Sequence, residues 1–72
     1  MDLAYNAVAQ AYLTAAPNLP AANKAQVKPL LAKAYVAVQA ADTAERLGDA
    51  TTLAAQVQSA ETLLAQAKAA FQ

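Results

Sequence analysis

The sequence predicts an all-α fold, a small antiparallel three-helix bundle with helices at about 2–16, 23–47 and 50–71. Three observations predict it. Twenty-three of the 72 residues are alanine, the best helix former, and Leu, Gln and Lys fill much of the rest. All three prolines lie between positions 17 and 29, and the single glycine is Gly48, so the strong breakers occupy only two places. Between them, apolar residues step by four and three alternately, which is one heptad-type stripe per helix. A chain this short makes one domain, spanning 1–72.

The first helix carries Met1, Tyr5, Val8, Tyr12 and Ala15 on one face and Asn6, Gln10 and Thr14 on the other. Pro17 ends it, because proline disfavours helical geometry in the residue before it. "NLP" then turns the chain, with Leu19 placed to plug the end of the bundle. In the second helix the stripe is Val27, Leu31, Ala34, Val38 and Ala41. Asn23 reads as its N-cap, and Gln26 three residues later completes a capping-box-like pattern. Pro29 either kinks this helix or begins its regular part. The alternating "AYVAV" is too short, and too deeply set among helix formers, to read as a strand.

"RLGDATTL" reads as stop, turn and start. Gly48 adopts the left-handed conformation without a Cβ penalty, and Asp49 caps the next helix, with Thr51 as the other candidate cap. The third stripe is Leu53, Val57, Ala60, Leu64, Ala67 and Phe71. Folding the chain near Gly48 sets Val38 opposite Ala60, Ala41 opposite Val57 and Ala34 opposite Leu64. Leu31 then meets Ala67, and Val27 meets Phe71. Large faces small in most layers, which predicts a closely packed, alanine-rich hairpin of the last two helices. The first helix, about 22 Å long at the usual rise, lies across this hairpin antiparallel to the second. It is too short to cover the Gly48 tip.

The same residues narrow the functional classes. Net charge is zero, with five basic and five acidic side chains, which argues against a long phosphate backbone as partner. There is no cysteine or histidine, so the commonest nucleophile–base pairs and soft-metal ligands are absent from the chain. Ser59 is the only serine, and Lys68 lies more than two turns from it. Asp42, Glu45 and Asp49 lack the alternating spacing of a calcium loop, and one glycine cannot make a phosphate loop. No catalytic, cofactor or metal residue is therefore expected. Tyr5 and Tyr12 fall on the inward stripe and Tyr35 beside one, which reads as half-buried packing rather than base stacking. No run approaches the ~20 apolar residues of a membrane span, and Asp2 stands where a leader would be basic, so a cytoplasmic location is expected.

Two surfaces remain. Val36 and Leu47 lie nearly opposite the second inward stripe and, with Ala40 and the stem of Lys33, form the candidate partner or self-association face. Lys24, Lys28, Lys33 and Lys68 lie toward the end remote from Gly48 and form the candidate basic end. Asp2, Asp42, Glu45 and Asp49, with Arg46, are expected at the tip.

Leu47-Gly48-Asp49 between alanine-rich helices resembles the turn inside a tetratricopeptide hairpin. Leu53, however, stands where that repeat has its marker alanine, and there is no second copy, so the repeat family is set aside. The stretch "VQAADTAERLGDATTLAAQVQSAETLLAQA" is broadly similar to alanine-rich hairpins of small bacteriophage-encoded accessory proteins. That resemblance implies a phage-type source. The function expected is a non-enzymatic helical protein–protein interaction or structural module with a protein partner or self-association. The alternatives are a weak nucleic-acid-binding module using the lysine-bearing end and a designed or idealised bundle.

Overall fold

A computed structural model describes residues 2–72. Its elements are α1 (Asp2–Ala15), a short 3₁₀ turn (Ala16–Asn18), α2 (Ala21–Leu47) and α3 (Ala50–Phe71), with no strand among the described residues. The bundle is slender, 42 × 17 × 14 Å between Cα extremes. α2 and α3 form much the largest contact, and α1 touches each of them to a lesser and similar extent.

The hairpin follows the inward stripes. Val27, Leu31, Ala34, Val38 and Ala41 are all buried, and Ala37 and Ala44 join them. From α3 come Ala60, Leu64, Ala67 and Phe71, with Leu53 and Val57 half-buried. Ala34 packs in one cluster with Leu64, and Val38 in another with Ala60. This is the grouping that folding at Gly48 requires. Alanine on both helices leaves little bulk between the axes and lets them approach closely.

At the tip, Gly48 has φ 72°, the left-handed conformation that glycine adopts most cheaply. Its N–H donates to the Glu45 carbonyl at 3.2 Å, and the Asp49 N–H donates to the Ala44 carbonyl at 2.9 Å. This pair of bonds is a Schellman motif, which satisfies carbonyls the helix end would otherwise leave unpaired. Asp49 Oδ1 then accepts from the Thr52 N–H at 3.1 Å and so caps α3. Asp49, not Thr51, is the cap.

The other turn corrects the expected boundaries. α1 ends at Ala15 rather than position 16, because Pro17 sits inside the 3₁₀ turn that follows. α2 starts at Ala21, not Asn23, with Pro20 in extended geometry as its N-cap residue. The Pro20 carbonyl accepts from the N–H groups of Asn23 and Lys24. Asn23 is therefore already helical. Its side chain crosses to the hairpin partner, where Nδ2 donates to the Ala70 carbonyl at 2.9 Å. Ala70 belongs to the last turn of α3, whose carbonyls lack intrahelical donors. Asn23 thus caps the end of α3 rather than the start of α2. Pro29 lies within α2, in its third turn, and the helix continues through it, so it does not begin the regular helix.

α1 buries only Tyr12 fully. Tyr12 meets Phe71 edge-on, ring centroids 5.8 Å apart, while Tyr5 meets Tyr35 at 5.4 Å. Tyr5, Val8, Ala15, Ala16 and Leu19 pack around this contact, so Leu19 does plug the end of the bundle. Met1, the first member of the α1 stripe, lies outside the described residues. The core that α1 covers runs from Phe71 to the Ala37–Val38–Ala60 layer, and the Gly48 tip extends beyond it.

Candidate interaction surface

A hairpin has two broad faces, and α1 covers one. Tyr35, Asp42 and Arg46 mark the flank of α2 turned toward α1, since they border a cleft with Asp2, Tyr5 and Asn6. Lys24 and Lys28 belong to the same flank, because Lys28, Tyr35 and Asp42 recur every seven residues and Lys24 lies four before Lys28. On α3, Glu61 and Lys68 share one flank by the same seven-residue spacing. That flank lies far round the helix from Leu63, Gln66 and Ala70, which line the α1-free side.

Two shallow depressions are lined without any α1 residue, one between α2 and α3 and one on α3 alone. One is lined by Gln26, Pro29, Leu30, Lys33, Gln66, Ala69 and Ala70. The other is lined by Ala55, Gln58, Ser59, Thr62, Leu63 and Gln66. Of the ten charged side chains, only Lys33 lines either depression. Fully buried interface centres are depleted in charge in the same way.

Val36 and Leu47 lie nearly opposite the inward stripe of α2, and helical spacing from Lys33 sets them with Ala40 beside the α1-free side. Val36 is 64% exposed and Leu47 78%, while Ala40 is half-buried. Lys33, Ala40 and Leu47 are spaced by sevens, and Val36 lies three beyond Lys33, so all four form one strip. The sequence reading missed the α3 half of this surface and the half-buried Leu30 and Leu63 in its floor. The signal was present: Ala55, Thr62 and Ala69 recur every seven residues, as do Thr52, Ser59 and Gln66. These small and polar residues make a second seam that a search for large apolar residues passes over.

The basic end is divided. Five residues separate Lys28 from Lys33, which places them about 140° apart around α2. Lys33 joins the α2–α3 depression, whereas Lys24 and Lys28 lie on the α1 flank. The acidic tip is divided too. Asp2 and Asp42 border the α1–α2 cleft with Arg46, and Glu45 and Asp49 border a separate small groove with Gly48 and Leu53. Among the described residues, no group of three or more carboxylates is placed to hold a metal ion. The Asp49 carboxyl is held below the usual range, chiefly by hydrogen bonding to Thr52, which belongs to helix capping. None of the helices is long and apolar enough to cross a membrane. Compared with family models, curated proteins and solved structures, the chain matches none.

Proposed function

We propose that the chain is a non-enzymatic helical interaction module that engages protein through the α1-free face of its α2–α3 hairpin. One observation carries this reading: the broad face that α1 leaves open holds a single charged side chain and exposes Val36 and Leu47. A solvated helix face normally carries charges of both signs. Here the charges border α1 and the tip instead, while the open side keeps small, amide and apolar residues that suit close contact. A phage-type accessory role and a cytoplasmic setting, both expectations from the sequence, belong to the same proposal. Dispersal of the four lysines over two sides of the bundle weighs against the nucleic-acid alternative, since phosphate binding needs clustered cations.

The test is a comparison of surface variants at constant helicity. Val36→Glu on the open face should abolish association with the partner, whereas Leu13→Glu on exposed α1 should leave it intact. Equal binding by both variants refutes the assignment of the face.

A further inference from the structure

We infer that the partner on this face is a second copy of the chain, packed antiparallel about a two-fold axis near the Val38–Ala60 layer; this rests on the interaction reading above. Self-complementarity of the face supports it. On α2 the open strip reads Pro29, Lys33, Val36, Ala40 and Leu47. Reversing the strip about the level of Val38 sets Val36 against Ala40 and Pro29 against Leu47. Large meets small in the central pair, and Lys33 meets no second cation. On α3 the same axis sets Ser59 against Thr62 and Ala55 against Gln66. A two-fold interface requires this property, that one patch be its own complement.

Charge and area agree with the pairing. The two Lys33 residues would stand about 15 Å apart along the helices, beyond the ~8 Å screening length of physiological salt. α3, of 22 residues, is about 33 Å long, and two helices side by side are about 20 Å wide. That is roughly 600–700 Å² per partner, at the low end of stable specific interfaces. Interfaces of one area span a wide range of affinities, so association is read over a broad concentration series. Its centre is a four-helix layer of α2, α3 and their copies, with an α1 on each outer side.

Sedimentation equilibrium of the 72-residue chain from 1 µM to 1 mM, as roughly chosen limits for such an interface, tests the inference. The mass should rise from 7.4 kDa toward twice that value. Val36→Glu and, separately, Ser59→Glu should weaken association at least about tenfold. Leu13→Glu should match the parent. The chain has no cysteine, so single cysteines report the register. Ser59→Cys lies about 5 Å along the axis from its own copy and should form a disulfide dimer, whereas Ala69→Cys, about 25 Å from its copy, should not. A 7.4 kDa species at every concentration overturns the inference. So does a dimer indifferent to both glutamates, or one linked through Ala69→Cys in preference to Ser59→Cys. If the chain is monomeric yet retains a protein from its source cell that Val36→Glu does not, the second copy is refuted and the interaction reading stands. A monomer for which parent and variant retain nothing refutes both.

Discussion

Replacing Pro29 with alanine should stabilise the fold. Pro29 sits in the third turn of α2, with a full helix on either side. It has no N–H to donate to the carbonyl of Ala25, and its ring crowds that carbonyl. Alanine restores the bond and relieves the crowding. The missing bond alone sets a floor of about 1 kcal/mol, the usual net worth of an intramolecular hydrogen bond. The ceiling is about 3 kcal/mol, the full difference between proline and alanine in a helix interior. A domain of this size gains about 4–8 °C in Tm for each kcal/mol. Pro29→Ala should therefore melt at least about 4 °C above the parent, and nearer 15 °C above it if the full penalty is released. The measurement is thermal unfolding followed by circular dichroism at 222 nm, a wavelength that reports helix. It should be made at low protein concentration so that association does not contribute. An unchanged or lower midpoint would refute the reasoning and would mean that α2 uses Pro29 to hold its course along α3.

Three further changes test the two turns. Asn23→Ala should cost about 1 kcal/mol, because it leaves the part-buried Ala70 carbonyl without a donor. Urea titration reads the loss, and amide exchange should rise in the last turn of α3 rather than in the first turn of α2. Gly48→Ala should cost about 1 kcal/mol through the left-handed backbone alone. A Cβ there would meet no atom within 4 Å, so Gly48→Asn should be milder. Asp49→Ala should lower the melting midpoint at neutral pH and have little effect in strong acid. The folded-state pKa of Asp49 is depressed, so its contribution is present above the unfolded value near 3.8 and fades as pH falls through the folded one. Melting curves of parent and variant should converge below that range.

The parts of the fold legible in the sequence are those governed by local rules. Gly48 and Asp49 act within one turn of themselves, and the inward stripes of α2 and α3 repeat on their own helices. Composition and spacing alone therefore give the hairpin and the clusters its inward residues form. Asn23 was misread because an amide at a helix start can serve either its own backbone or a neighbour's. The sequence shows the donor but not the carbonyl of Ala70, 47 residues away. Pro29 reads locally as a kink or a beginning, whereas α2 runs on through it with α3 packed alongside. The lysine-bearing end is read from position along the helix alone. Lys24, Lys28 and Lys33 share one end of a helix, but a shared end is not a shared side.

Pro29 also links the stability argument to the surface argument. It is the residue of α2 with the highest helical cost, and it is exposed, so burial in this chain does not offset that cost. It lines the α2–α3 depression beside Leu30 and Lys33. In the antiparallel pair it lies against Leu47 of the second copy, the most exposed large apolar residue of α2. A sequence that satisfies local rules almost everywhere tends to break them where something other than folding is selected. If the depression is that place, Pro29→Ala should separate two properties that a purely structural residue would move together. The variant should be more stable as a monomer and weaker in association, both read from the concentration series that tests the dimer. A variant that is more stable and associates as well as the parent would detach Pro29 from the surface.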